Sequence, residues 1–231
     1  DPSGSLAEYE KAIWRRPLHV EYQLQTARTL FALKQPDKAE VLLKNSLLMN
    51  PFSWFSRHEL ASFYFASERI PEGLEVFKFG LDLRTDKTSE VIRTLVIAGV
   101  KRPDFFEAMP QRSRCWAILG DFLKELDDFS AAERAYRRGV EAMQSENPPN
   151  ANIVWRYLDL LQKQKRNAEA LELLRIALEV FPENPSILSR QGVLYEGEGL
   201  RDRAIEAYRA SIMLNPNADW VRKRLEKLQG D

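Results

Sequence analysis

The sequence predicts an all-α, right-handed superhelix of stacked antiparallel helix pairs. Three observations predict it: one fourteen-residue pattern written six times, a pitch of 34 residues between neighbouring copies, and a second helical pattern upstream of most copies. The copies are "GSLAEYEKAIWRRP" (4–17), "KAEVLLKNSLLMNP" (38–51), "EGLEVFKFGLDLRT" (72–85), "AAERAYRRGVEAMQ" (131–144), "EALELLRIALEVFP" (169–182) and "RAIEAYRASIMLNP" (203–216).

The second letter is always small: Ser5, Ala39, Gly73, Ala132, Ala170 and Ala204. The sixth is large (Tyr9, Leu43, Phe77, Tyr136, Leu174, Tyr208), and the ninth is small again (Ala12, Ser46, Gly80, Gly139, Ala177, Ser211). Steps of four and three place these letters on one helix face, so small residues admit a neighbouring backbone and the large one fills the gap. Pro17, Pro51, Pro182 and Pro216 end four copies, because proline lacks an N–H and clashes with the preceding turn. The distances Pro17 to Pro51, Pro51 to Thr85, and Pro182 to Pro216 are each 34 residues.

Upstream lie "YQLQTARTLFAL", "RHELASFYFAS", "CWAILGDFLKEL" and "SRQGVLYEGEG". Their small residues are Ala27, Ala61, Gly120 and Gly192, followed three positions later by Leu30, Tyr64, Leu123 and Tyr195. Two helices per 34 residues with this signature resemble the tetratricopeptide repeat over nearly the whole chain. The implied organisation is a single solenoid across residues 1–231. It comprises a partial repeat 1–19, repeats 20–53 and 54–87, an irregular stretch 88–112, repeats 113–150, 151–184 and 185–218, and a capping helix 219–231. Because the chain enters at the second helix of a repeat, without Met or signal peptide, it is expected to be a piece of a longer protein.

Composition bounds the rest. The 231 residues are 44% hydrophobic and 29% charged, with Lys+Arg and Asp+Glu equal at 34 each. Zero net charge argues against a nucleic-acid tract or a membrane-surface patch. No apolar run approaches a membrane span. The expectation is a soluble domain, cytoplasmic, or periplasmic if its parent is membrane-anchored. One Cys excludes an internal disulfide.

The register breaks after Thr85. "TSEVIRTLVIAGV" (88–100) supplies a first helix, but "KRPDFFEAMPQR" (101–112) stands where the second should be. Between Pro103 and Pro110 there is room for little more than one helical turn. Two readings follow: drift in a tolerant array, or a lip over a groove with Phe105 and Phe106 as its apolar contacts. In either case the segment is expected to sequester few backbone hydrogen bonds and to be the most protease-sensitive internal site.

Catalytic chemistry finds little support. His19, His58 and Cys115 are the only soft ligands, without the close pairings of zinc sites. A Cys115–His58 nucleophile pair is conceivable, yet lone cysteines are usually packing residues. Phosphate-binding glycine loops and nucleophile elbows are absent. The expectation is no catalytic residue, no cofactor and no metal.

What the resemblance implies is a concave groove lined by first helices, holding a peptide or partner segment. Its residues here would include Leu24, Arg28, Phe31, Phe55, His58, Phe65, Trp155, Arg156, Asp159 and Arg190. Trp155, flanked by Arg156 and Asp159, has the apolar-with-polar character of an interface anchor. Chaperone-binding members of the family grip a terminal carboxylate with Lys and Asn four apart. The corresponding pairs Leu24/Arg28, His58/Ser62, Ala117/Asp121, Trp155/Asp159 and Ser189/Val193 do not match that clamp. The leading expectation is therefore a non-enzymatic interaction scaffold binding protein or peptide. Two alternatives stand beside it. One is an RNA-binding helical repeat. The other is an accessory domain of an envelope enzyme, because the layout resembles the C-terminal repeat regions of bacterial polysaccharide polymerases and ligases.

Overall fold

The computed structural model describes residues 2–15 and 19–230, with backbone alone for residues 2–6 and 10. The proline expected to end the first helix, Pro17, lies outside them. The described residues form thirteen α-helices joined by short turns, with no strand among them. They divide into two compact units, Asp1–Leu119 and Gly120–Asp231.

The first unit contains α1 (Pro2–Arg15), α2 (Val20–Ala32), α3 (Pro36–Met49), α4 (Trp54–Ala66), α5 (Ile70–Leu83) and α6 (Thr88–Ile97). A 3₁₀ helix, Arg102–Ala108, follows, and then α7 (Ser113–Glu125) begins. Helix α2 packs on α3, and α4 on α5. Local sequence starts these helices. Pro36 and Pro71 occupy the first turns of α3 and α5, where a missing N–H costs nothing. Ser53 caps α4 by accepting from the Ser56 N–H. The core joins Leu24, Ala27 and Leu30 of α2 to Ala39 and Leu43 of α3 and to Leu60, Phe63 and Tyr64 of α4. Phe77 of α5 is fully buried between Trp54 and Phe65, with ring centroids 6.1 and 5.6 Å away.

The second unit continues with α8 (Phe129–Ser145), α9 (Asn152–Lys163), α10 (Asn167–Val180), α11 (Pro185–Gly197), α12 (Arg201–Leu214) and α13 (Asp219–Gly230). The repeated letters do what helical spacing predicts. Tyr136, Leu174 and Tyr208 are fully buried, as are the small residues Ala132, Ala170 and Ala204 four positions before them on the same helices. Helix α13 packs on α12, where buried Val221 meets Ala204 and Tyr208.

The turns between paired helices share one geometry that the residue types do not announce. Lys34, Glu68, Asp127 and Lys165 all have φ of 59°, while Gly99 and Gly199 have 69° and 72°. At each, the following N–H donates back to the carbonyl five residues earlier, Gln35 to Leu30, Arg69 to Tyr64 and Arg166 to Leu161 at 2.9 Å. This is the Schellman closure, with a left-handed residue just past the helix end. Only two of the six positions are glycine, so the turn was invisible to a search for glycine.

The irregular stretch is one such pair with its second member shortened. Helix α6 ends in the same turn at Gly99, and then seven residues of 3₁₀ helix replace the 14 to 17 of every other second helix from α3 onward. The lip reading is corrected here. Phe105 is buried to 1% exposure, with Ala108 and Met109 beside it, and Phe106 is half-buried 5.7 Å from the Trp116 ring. Phe105 is thus a core plug, taking over part of the volume that a full helix would fill.

Candidate interaction faces

In the first unit, successive first helices are tied through their polar side chains. Arg28 of α2 donates from Nε and Nη2 to both oxygens of Glu59 on α4, at 2.7 and 2.6 Å. Its guanidinium also lies 5.8 Å from the ring centre of Phe55, which is 45% exposed. Phe31 meets Phe63 edge-on at 5.3 Å and helps line a shallow hollow of about 170 Å³ with Arg28, Glu59 and Ser62. Between α4 and α6, Trp54 Nε1 donates to Glu90 at 3.0 Å, and His58 Nε2 sits 3.0 Å from the Thr94 hydroxyl.

Two residues assigned to this face by sequence do not reach it. Leu24 is fully buried at the centre of the α2–α3–α4 core. Phe65 is 7% exposed because its ring lies over Gly73, where an added Cβ would come within 2.4 Å of it. Cys115 is also fully buried, accepting from the Thr88 hydroxyl at 3.2 Å.

The second unit repeats the design. Asp121 of α7 accepts from the Tyr136 hydroxyl at 2.7 Å and pairs with Arg156 of α9. Lys124 reaches Asp159 at 3.5 Å, and Lys163 meets the same carboxylate at 3.0 Å. The Lys163 ammonium bonded to it holds the Asp159 carboxyl below its ordinary range, against the opposing effect of partial burial. Trp155 is half-buried on α9, where Ile153 and Val154 are buried, and Arg190 of α11 is exposed. The bridges from one first helix to the next join positions 31 to 36 residues apart, a distance over which no local pattern could announce them.

On the second helices, carboxylates act as clamps. Glu40 takes bonds from Arg69 at 2.6 Å and Tyr64 at 3.1 Å. Glu133 is held by Arg166 at 2.6 Å, with Arg137 and Tyr157 beside it. The Arg166 guanidinium, more than any other cause, pulls the Glu133 carboxyl down to about 2. Glu40 is likewise lowered to about 2, with its bond to Lys44 the largest cause. Burial pushes the Tyr157 and Tyr208 phenols up to about 12. Among the described residues, no three His, Cys, Asp or Glu side chains converge as metal ligands would.

Two tetratricopeptide-repeat family models match the chain, over residues 113–142 and 158–219. A curated relative, the uncharacterized protein y4yS of Sinorhizobium fredii (strain NBRC 101917 / NGR234), is 34% identical over 95 residues. That match takes in 41% of this chain and 50% of the relative, so the chain spans about half the length of the curated protein it matches. Among solved structures, YrrB, described as a TPR protein with an unusual peptide-binding site, is 16% identical with a TM-score of 0.44, covering 94% of this chain and 97% of its own. MamA is 17% identical with a TM-score of 0.41, covering 85% and 92%. No helix among the described residues is long and apolar enough to cross a membrane. Tetratricopeptide repeats are protein-interaction scaffolds that bind proteins or peptides and are generally non-catalytic. Residues 113–142 and 158–219 thus match tetratricopeptide-repeat family models.

Proposed function

We propose that the chain is a non-enzymatic scaffold that holds a segment of another protein against its first helices, with Trp155 as the anchor in the second unit. The observation that carries this reading is the setting of Trp155. It is a half-buried indole in the first turn of α9, close in sequence to Arg156 and Asp159, whose charges are already matched by Asp121 and Lys124. Large aromatics in such dry, polar-rimmed positions contribute most interface energy. In the first unit the same role falls to Phe31 and Phe55, with Arg28 and His58 beside them. Leu24 and Phe65, being buried, have no part in it. Arg190 adds an exposed cation on α11. A protein segment is favoured over RNA because the chain has no excess of positive charge to attract phosphates.

The test is affinity capture of a partner from the source cells, followed by titration against Trp155→Ala. We expect the variant to stay folded and to weaken binding by ~2 kcal/mol or more. Undiminished affinity would move the partner off this face.

A further inference from the structure

We propose that the cleft between α5 and the Arg102–Ala108 segment binds a basic amphipathic helix of a partner protein. This rests on the scaffold reading but uses a surface distinct from that of Trp155. Consecutive second helices reach one another through side chains, as Arg69 at the start of α5 does to Glu40 of α3, and Arg137 of α8 to Glu169 of α10. After α5 the next second helix is only seven residues of 3₁₀ helix. The flank of α5 is therefore left facing a cleft of about 970 Å³. That is near the top of the ~300–1,000 Å³ range of ligand sites.

The lining states what would fit. Its floor is apolar: Ile70, Leu74 and Phe79 from α5, with Pro110 opposite. Phe79 is 56% exposed, one face covered by the Arg57 guanidinium 4.3 Å from the ring centre. Around the floor stand Glu75, Asp82, Asp104 and Glu107, against Lys78 as the single cation of the lining. Asp82 is bonded to Arg112 at 2.7 Å. Glu75, Asp104 and Glu107 project their charges without an ion pair. This contrasts with the first-helix faces, where carboxylates and cations are matched, and it is a local acidic excess on a chain of zero net charge. An apolar strip with acidic walls is complementary to a helix carrying apolar residues at i, i+3, i+4 and i+7 and Lys or Arg on its flanks. Phosphate-bearing ligands and acidic peptides are repelled by the same walls.

The probe is a synthetic Leu/Lys amphipathic peptide of about 18 residues, long enough to hold a helix. It is titrated into the intact chain beside a scrambled peptide of equal charge and a Leu/Glu counterpart. We expect the Leu/Lys helix alone to bind well. The paired reversal Glu75→Lys with Glu107→Lys should weaken it by about tenfold or more and flatten its salt dependence. Phe79→Ser should weaken it at all salt concentrations, and Trp155→Ala should leave it unchanged. Equal binding of the scrambled peptide, indifference to both cleft variants, or a dimer of the chain that closes over Phe79 would each overturn the proposal. Loss of cleft binding with Trp155-dependent capture intact would reject this inference and leave the scaffold reading standing. The reverse pattern would reject the first-helix reading alone.

Discussion

Small residues in this chain are seats for aromatic rings. A Cβ placed on Gly120 would lie 2.4 Å from the Tyr136 ring, and one on Gly192 would lie 2.5 Å from Tyr208. Those contacts are with ring atoms held inside the core, so they cannot be relieved by a swinging side-chain tip. Gly120→Leu on α7, and Ala204→Leu on α12, should each destabilise by ~1–3 kcal/mol through overpacking. Gly197→Ala provides the contrast. It is helical and meets nothing within 4 Å, so the methyl group should stabilise by about 0.5–1 kcal/mol. Thermal melts of the three variants check both signs. If all three melt alike, the seating account fails. The small-large-small order was legible in the sequence because it recurs at fixed helical spacing. Which ring sits over which glycine was not, since the pairing crosses from one helix to the next.

Paired helices are closed by backbone geometry and clamped by charge. Glu68 adopts φ of 59° with its side chain exposed, which costs an L-residue roughly 1–2 kcal/mol relative to glycine. Glu68→Gly should therefore gain stability, by less than about 1 kcal/mol once the added freedom of the unfolded chain is counted. Gly99→Ala, in open space but at φ of 69°, should lose about 1 kcal/mol. Urea midpoints measure both. The Glu133 clamp adds a pH dependence. Its carboxyl is lowered to about 2 in the folded chain from 4.5, with Arg166 the main cause. A lowered folded value means that the stabilisation is complete above about pH 4.5 and disappears as pH falls through about 2. With the carboxylate partly open to solvent, the worth of the clamp is on the order of 1–2 kcal/mol. Glu133→Gln should cost that amount at pH 7 and make the melting temperature fall less steeply between pH 4.5 and 2. An unchanged slope would show that the clamp is not felt. Neither device could be read in advance. Lys34, Glu68 and Lys165 are not residues that advertise a left-handed turn, and Glu133 meets Arg166 from 33 positions away.

For the whole chain, the pitch of 34 residues was the most legible feature. It placed the helix pairs, the shortened pair and the final helix, because each rests on local periodicity and proline positions. The faces proposed for interaction were legible only in part. Arg28, Phe55, His58, Trp155 and Arg156 reach the surface or its edge, whereas Leu24 and Phe65 are turned inward. Apolar helical spacing alone cannot separate an inward ring from an outward one. The segment 101–112 was expected to be the easiest internal place to cut. With Phe105, Ala108 and Met109 buried, we expect it to resist limited trypsin digestion instead. Phe105→Ala should cost about 3–5 kcal/mol and make the bond after Lys101 an early site of cleavage. Early cleavage there in the unsubstituted chain would show that the plug does not hold.

The bridges from one first helix to the next have a further consequence, for selectivity. A partner that approaches through its own charges gains nothing until it has broken a match such as Arg28 with Glu59, and it must then satisfy both halves. A partner that approaches through shape and an apolar side chain meets no such toll. If the proposed partner segment docks there, the first-helix faces should therefore discriminate against charge-driven visitors. Binding there should be nearly indifferent to ionic strength, whereas occupancy beside Phe79 should fall as salt is added.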